Sequence, residues 1–224
     1  MLIVGLTGGV ASGKSAVSQI WEGAGATLID ADRIARELVQ PRQPAWKALI
    51  KAFGKEILQK DGSLHRKKLA ARVFSDPVQR ELLNQILHPR IKREINRRIK
   101  GIGQKDPEAI VVVDAALLIE TGYYREIDKV VVVTSTKEQQ MERLKRREGI
   151  DQEKARGIID SQISAEERTK VADIIIRNEG PLEETERKAK EVFQELKRMV
   201  LHKKDPKRLA HSGLKSQEDS KEKV

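Results

Sequence analysis

The sequence predicts an α/β protein in which five parallel strands form a sheet with helices on both faces. Three observations lead to this fold class. An apolar run at residues 2–6 leads into a glycine-rich loop, and a helical pattern follows the loop. Unbroken β-branched runs at 109–114 and 129–134 are typical of strands that are buried on both faces. Helical segments alternate with the strands, and this alternation favours a parallel sheet.

The glycine-rich loop, residues 8–15, fits the phosphate-binding pattern G-x-x-x-x-G-K-[ST] at every fixed position. Glycines at 8 and 13 permit positive φ and let the backbone approach an anion closely. The loop N–H groups and the start of the following helix then favour a bound phosphate. Lys14 is expected to contact only ligand phosphates, and the Ser15 hydroxyl is expected to ligate Mg²⁺.

The second predicted strand, residues 25–30, ends in a pair of carboxylates. Asp30 closes the strand, and Asp32 lies at the entry to a helix that runs to Val39. Ligands bind at this edge of open parallel sheets. We expect one of the two carboxylates to face an acceptor hydroxyl and the other to cap the helix.

Residues 41–107 have an almost wholly helical pattern and are predicted to form an insertion over the sheet edge. Its longest helix begins at Asp76-Pro77, and His88-Pro89 is predicted to interrupt it because proline inside a helix costs ~3 kcal/mol. A loop is expected at 101–107. The basic residues on the outer side of this helix are typical of a solvated face.

The remaining chain completes the core. Asp114 ends the third strand, where it either supports Mg²⁺ or caps a loop. The helix after the fourth strand carries Arg143 and Arg147 near its end, where cations favour a helix C-terminus but could equally form a lid over a phosphoryl group. Two short helices over 151–168, a fifth strand at 172–177 and a last helix over 182–201 follow. The core is therefore assigned to 1–40 and 108–202, with a lid at about 143–168.

Composition limits the function classes. The formal charge of +10 invites a nucleic-acid partner, but aromatic residues at 3% are too few for base-stacking platforms. Absence of cysteine excludes disulfides and thiolate metal sites. No run approaches a membrane span, and the N-terminus lacks a basic lead, so a cytoplasmic location is the default. Residues 203–224 are charged, nearly without apolar residues, and predicted to be a disordered tail.

The phosphate loop alone does not separate ATPases, GTPases and kinases. A carboxylate pair beside the loop, a helical insertion and an arginine-rich segment favour a small-molecule kinase, because phosphoryl transfer requires closure over the substrates. A kinase of nucleotides or nucleosides and a basic, nucleic-acid-associated ATPase are the alternatives. No Asn-Lys-x-Asp pattern for reading guanine is present.

Several motifs, in order and spacing, resemble the dephospho-coenzyme A kinase family over residues 2 to about 200. They are LTGGVASGKS at 6–15, IDADRIARELV at 29–39, ILHPRI at 86–91, LLIE at 117–120, Arg143 with Arg147, Gln162, and Ala172-Asp173 with Asn178 and Gly180.

The resemblance implies a P-loop kinase core and transfer of the ATP γ-phosphate to the ribose 3′-hydroxyl of dephospho-CoA, with Mg²⁺ and no nucleic-acid or membrane partner. A monomer is favoured. Catalytic roles would fall to Asp32, as the base, and to Lys14, Arg143 and Arg147. The implied ATP-binding residues are Gly8, Gly9, Val10, Ala11, Ser12, Gly13, Lys14, Ser15, Ala16, Gln162 and Asn178. On the acceptor side the implied residues are Asp32, His88, Leu117, Leu118 and Glu120, and Ser15 and Asp114 would hold the metal.

Two positions depart from the family pattern. Ala116 stands where proline usually precedes the Leu-Leu pair, so this loop is expected to be less rigidly set. His65 stands where aspartate usually precedes the arginine that follows Leu64, which weakens any acidic role at that position.

Overall fold

The computed structural model describes residues 1–204, and within them the chain forms a five-stranded, all-parallel sheet. The strand order is β2-β3-β1-β4-β5, which confirms the predicted fold class. The strands are β1 (Leu2–Gly8), β2 (Thr27–Asp30), β3 (Ile110–Asp114), β4 (Lys129–Thr134) and β5 (Ile174–Arg177). The helices are α1 (Lys14–Gly23), α2 (Ala31–Leu38), α3 (Pro44–Phe53), α4 (Arg66–Ser75), α5 (Pro77–Lys105), α6 (Lys137–Glu148), α7 (Gln152–Asp160), α8 (Ala165–Thr169) and α9 (Leu182–Lys204).

The apolar side chains of the strands divide between two clusters, because successive residues of a strand point to opposite faces. On one face the sheet packs against α1 and α9 through Val4, Leu6, Val17, Trp21, Val112, Val131, Val133, Phe193 and Leu196. On the other face it packs against α2 and α5 through Ile34, Ile95, Ile99, Val111, Val113, Val130 and Val132. Helices therefore cover both faces, as predicted.

The helical segment between β2 and β3 has a third cluster of its own. Its buried members are Val39, Ala45, Leu49, Phe53, Ile57, Leu64 and Leu69. Within it, Trp46 Nε1 donates a hydrogen bond to the Gly62 carbonyl at 3.0 Å. In the main core, Trp21 Nε1 donates to the Ala189 carbonyl at 2.8 Å. The helical segment thus packs around apolar residues that lie apart from the sheet.

Helix α5 differs from the prediction at two points. It passes through Pro89 without interruption, and the Arg90 guanidinium donates to the Ile86 carbonyl at 2.6 Å in the preceding turn. It also continues to Lys105, so the loop predicted at 101–107 is wrong for its first five residues. Packing explains the extension, because Ile99 and Ile102 contact the sheet cluster and outweigh the low helix propensity of glycine.

The basic outer side of α5 is partly used in ion pairs. The Arg98 guanidinium pairs with Glu94 of the same helix and with Glu37 of α2. Hydrogen bonds from Arg97 and Arg98 lower the pKa of Glu94 to about 2. The pair between Arg98 and Glu37 joins α5 to α2. Some of the basic residues of α5 therefore hold the two helices together and are not simply exposed to solvent.

The C-terminal part of the chain agrees with the predicted order of elements. The two short helices expected over 151–168 are α7 and α8, and α9 extends three residues beyond the predicted end at 201. From residue 205 onward, the predicted tail lies outside the described residues. Over residues 1–204, no helix combines the length and the apolar character that crossing a lipid bilayer requires.

Candidate active site

The phosphate loop connects β1 to α1 at the C-terminal edge of the sheet and has a tightly constrained backbone. Gly13, the residue before α1, has φ 96°. A β-carbon added there would lie 2.0 Å from Nδ2 of Asn178. At Gly8, an added β-carbon would lie 2.6 Å from the Val133 carbonyl oxygen. Both glycines are therefore required by close approach, as the sequence pattern predicts.

Side chains from the C-terminal half of the chain hold the loop. The Val10 N–H donates to Oε1 of Gln162 at 2.9 Å. Asn178 Nδ2 donates to the Ser12 carbonyl at 2.8 Å, and Thr185 donates to Oδ1 of Asn178 at 2.8 Å. Gln162 and Asn178, both predicted at the ATP side, thus contact the loop backbone, and Asn178 is buried beneath it.

Two arginines of α6 lie near the loop in different environments. The Arg143 guanidinium donates to the carbonyl of Asn178 at 3.1 Å and to that of Ala11 at 3.4 Å. The Arg147 side chain is exposed and forms an ion pair with Glu148. Ala11, at φ 57°, has the left-handed conformation that is uncommon for a residue with a β-carbon. Arg143 therefore supports a strained part of the loop, whereas Arg147 is free of the loop backbone.

A cavity of about 410 Å³ opens beside the loop and has a positively charged wall. Its lining residues are Ala11, Gly13, Ser15, Arg143, Arg146 and Arg147. Arg146 was not among the predicted site residues, although the basic cluster at the end of α6 was visible in the sequence. Because guanidinium groups match phosphate geometry, the cavity suits an anionic ligand.

Lys14 contacts the protein as well as facing the loop. Its Nζ pairs with Oδ1 of Asp114, whose side chain is largely buried. The expectation that Lys14 contacts only ligand phosphates is therefore wrong. Burial lowers the pKa of Lys14, and the charges of Asp32 and Asp30 oppose that shift. The pair satisfies the buried carboxylate of Asp114 and holds the ammonium at the sheet edge.

Strand register brings the carboxylates together. Asp30 and Asp114 are paired residues on neighbouring strands, and Asp114 is in turn paired with Leu6 of β1. Asp30 caps α2, since its Oδ1 accepts a hydrogen bond from the Arg33 N–H at 2.9 Å. Asp32 lies exposed in the first turn of α2. We expected one of the two carboxylates to cap α2, and the structure confirms this for Asp30.

The loop after β3 contains the predicted acceptor residues, and it is held in place by a buried side chain and by a hydrogen bond to its backbone. Leu118 is wholly buried, and a β-carbon added to Gly5 would lie 2.6 Å from its Cδ2. The Leu118 side chain thus has no exposed surface in this structure, whereas Leu117 is 49% exposed. Thr7 Oγ1 donates to the Ala116 carbonyl at 3.3 Å, so this hydrogen bond helps to hold a loop that lacks the proline.

Comparison with known proteins agrees with this geometry. A sequence model of the dephospho-CoA kinase family matches residues 2–184. The chain belongs to the dephospho-CoA kinase family. A dephospho-CoA kinase of Corynebacterium glutamicum is 43% identical over 196 residues, which are 88% of this chain and 100% of the relative. One of Moorella thermoacetica is 40% identical over 206 residues, 92% of this chain and 97% of the relative.

Solved structures give the same result for the fold. A crystal structure from Thermus thermophilus has a TM-score of 0.74 at 30% identity and covers 87% of this chain and 97% of its own. The dephospho-CoA kinase of Campylobacter jejuni has a TM-score of 0.68 at 27% identity, with 88% and 98% covered. The chain therefore has the fold of a solved dephospho-CoA kinase.

Two histidines lie at positions that matter for the family resemblance: His88 within the motif at 86–91, and His65 where aspartate is usual. His88 lies half-buried in α5, where burial lowers the pKa of its imidazole against the opposing charge of Glu81. His65 caps α4, since its Nδ1 accepts a hydrogen bond from the Lys68 N–H at 3.2 Å. The imidazole thus caps the helix at a position where family members usually have an aspartate.

Sequence reasoning missed Arg168 of α8, which is only 5% exposed. It forms an ion pair with Glu120, and it also contacts Gln162. A single arginine in the polar stretch Ser164–Thr169 carries no periodic signal, so only tertiary packing reveals that it is buried.

Proposed function

We propose that this chain transfers the γ-phosphate of ATP to the ribose 3′-hydroxyl of dephospho-CoA. The main support is that four charged residues lie together at one sheet edge beside the phosphate loop: Lys14, Asp30, Asp32 and Asp114. Loop, ammonium and carboxylates together supply a phosphate site, a positive charge for the transferring group and a proton acceptor. Membership of the dephospho-CoA kinase family supports the choice of substrates.

ATP binding is assigned to the loop and the first turn of α1, residues 8–16. Backbone N–H groups of this segment bind the phosphates, and the N-terminus of α1 favours negative charge. Lys14 exchanges Asp114 for phosphate oxygens when the nucleotide enters. Gln162 and Asn178 act on ATP by fixing the backbone of Val10 and Ser12, to which they are hydrogen-bonded.

The metal assignment to Ser15 and Asp114 fits the residues present. Mg²⁺ is usually held by one or two carboxylates together with phosphate oxygens and water. A serine hydroxyl in the first turn of α1 and a carboxylate at the end of β3 form such a donor set. When bound, Mg²⁺ supplies positive charge that neutralises the phosphate oxygens.

Asp32 is the proposed general base. A ribose hydroxyl is a poor nucleophile at neutral pH, and a carboxylate within hydrogen-bond reach orients it and accepts its proton. The charges of both carboxylates interact with Lys14, so this interaction does not separate them. Asp30 is engaged as the cap of α2, whereas Asp32 is exposed at the same sheet edge, and this difference favours Asp32 for the role.

The arginines of α6 are proposed to stabilise the transferring phosphoryl group. Positive charge aimed at oxygens whose negative charge grows in the transition state lowers the barrier. Arg147 and Arg146 line the cavity, and Arg143 combines this position with support of the loop. The segment 143–168 is the proposed lid.

The acceptor is proposed to lie between the loop at 117–120 and the helical segment 41–107. His88, half-buried in α5, offers a hydrogen bond from its imidazole, and burial lowers the pKa of that group. Leu117 offers apolar contact from its exposed position, while Leu118 anchors the loop from the core. A monomeric state and a cytoplasmic location remain predictions.

The direct test is incubation of the protein with ATP, Mg²⁺ and dephospho-CoA, followed by detection of coenzyme A by mass spectrometry. We expect a product heavier than the acceptor by one phosphoryl group, formed only when all three components are present. Nucleosides and nucleoside monophosphates serve as competing acceptors in parallel reactions. Phosphorylation of one of these, or ATP hydrolysis without a phosphorylated acceptor, would overturn the assignment.

A further inference from the structure

Arg168 is a buried charge that the mechanism above does not use. It is 5% exposed, and arginine is almost never so buried unless paired. Burial lowers the pKa of its guanidinium, and the carboxylate of Glu120 opposes this shift. Enclosing such a group costs free energy of desolvation, so its position calls for a specific purpose.

The guanidinium lies close to three segments that have different assigned roles. Nη2 donates to Oε1 of Gln162, in the proposed lid, at 3.4 Å. The ion pair with Oε1 of Glu120, in the acceptor loop, spans 3.6 Å. A β-carbon added to Gly9, in the phosphate loop, would lie 3.3 Å from Nη1. One side chain at the end of the proposed lid thus lies beside both the acceptor loop and the phosphate loop.

These contacts leave the hydrogen-bonding capacity of the guanidinium incompletely used. Charge-assisted N–H···O⁻ bonds are typically ~2.7–2.9 Å, shorter than either contact. Among the described residues, Nε of Arg168 has no hydrogen-bond partner. Buried donors are normally satisfied, so the arrangement can gain free energy by closing. Movement of Glu120 towards Arg168 would provide that gain.

Arg168 also helps to fix the orientation of the Gln162 amide beside the phosphate loop. An amide side chain can present either its oxygen or its nitrogen, whereas arginine can only donate. With Arg168 on one side, the Gln162 oxygen is favoured, and the same oxygen accepts the Val10 N–H at 2.9 Å. Removing the guanidinium leaves the Val10 N–H as the donor that still selects the oxygen, so the Gln162 amide keeps its orientation but is held less firmly.

We propose that Arg168 is a positioning residue that couples binding of the acceptor to binding of ATP. The proposal rests on the function proposed above. Acceptor binding at the loop 117–120 brings Glu120 closer to the guanidinium. The rigid guanidinium then fixes the Gln162 oxygen against Val10 and so orders the phosphate loop for ATP. By reciprocity, ATP binding favours the acceptor-bound position of Glu120 by the same factor.

The experiment measures this factor in the full chain by calorimetry. The Kd of a β,γ-imido ATP analogue with Mg²⁺ is determined with and without saturating dephospho-CoA. In the wild type we expect the acceptor to tighten analogue binding about fivefold or more, within the usual range of coupling. Arg168→Met should bring this ratio close to one. Arg187→Met serves as the matched control, because Arg187 is an exposed arginine of α9, and it should keep the wild-type ratio.

Two further variants keep the test decisive if Arg168→Met fails to fold. Arg168→Lys keeps a positive charge but lacks the planar fork, so we expect it to lose the coupling as well. Glu120→Gln changes a partly exposed side chain, and it too should lose the coupling, with no further loss in the double variant with Arg168→Lys.

Several results would contradict the positioning role of Arg168. No coupling in the wild type, or an unchanged ratio in a folded Arg168 variant, would refute the positioning role. A merely structural arginine would lower the melting temperature and both affinities while leaving the ratio intact. Formation of coenzyme A by the wild type is measured separately from the ratio of the two Kd values. If no coenzyme A forms, the proposed function itself is refuted. If coenzyme A forms but the ratio is unchanged in the Arg168 variants, only the positioning role is refuted.

Discussion

Replacing Asp32 by asparagine tests the proposed base with little change of shape. We expect kcat to fall roughly 10²-fold or more, since general base catalysis typically contributes this much. That loss corresponds to ~2.7 kcal/mol of transition-state stabilisation. The effect on folding should be small, because Asp32 is exposed and loses only its interaction with the α2 N-terminus, ~0.3–1 kcal/mol, and its interaction with the charge of Lys14.

Asp30→Asn is the matched control because it neutralises the neighbouring carboxylate. Asparagine caps a helix about as well as aspartate, so the hydrogen bond from the Arg33 N–H should persist and stability should hardly change. Steady-state kinetics with both substrates, a melting curve and the Kd for Mg²⁺–ATP should be measured for both variants. A larger loss of kcat in Asp30→Asn would refute the base assignment. The base assignment would also be refuted if Asp32→Asn lost Mg²⁺–ATP affinity by as large a factor as it lost kcat. That result would indicate that Asp32 interacts with the metal ion.

Three further predictions concern the phosphate loop and the lid. Lys14→Ala should abolish turnover and also cost ~1–3 kcal/mol of stability, because it leaves the buried Asp114 unpaired. The double variant with Asp114→Asn should recover the melting temperature without recovering activity, and a fully stable single variant would contradict the pairing. Gly13→Ala should lose ATP binding, because its added β-carbon meets a side chain and its φ is positive, while Gly23→Ala, with open space around it, should bind normally. Arg147→Ala should lower kcat by ~10²-fold with little change in the KM for ATP; a rise in KM alone would make Arg147 a ground-state binder.

The sheet and the phosphate loop could be predicted because local chemistry determines them. β-branched runs indicate buried strands, and the spacing of Gly8, Gly13 and Lys14 specifies a loop whose backbone is close to neighbouring atoms. The end of each strand follows from the same runs. Thus the edge at which Asp30, Asp32 and Asp114 meet was predictable before their partners were known.

Features that depend on tertiary packing could not be predicted in the same way. Arg168 is buried by the elements around a short helix, and its own sequence is polar. Leu118 and Leu117 are adjacent and chemically identical, and only the space above Gly5 decides which of them is buried. The contact between Lys14 and Asp114 joins positions 100 residues apart, so no local pattern could have revealed it.

The placement of the two tryptophans has a practical consequence for spectroscopy. Trp21 is wholly buried at the end of α1, where its ring stacks on Phe193 with 6.1 Å between centroids. Trp46 lies half-buried in the helical segment, hydrogen-bonded to the Gly62 carbonyl. The chain contains no other tryptophan. Each major part of the molecule therefore carries one intrinsic fluorophore.

Trp21→Phe and Trp46→Phe would give two single-tryptophan proteins that report on different parts of one chain. Fluorescence melting curves that coincide would show that the sheet and the helical segment unfold as one cooperative unit. Curves with separate midpoints would show that the helical segment opens while the sheet stays folded. The same pair of proteins would also separate the optical response to ATP, whose proposed site lies beside α1, from the response to the acceptor.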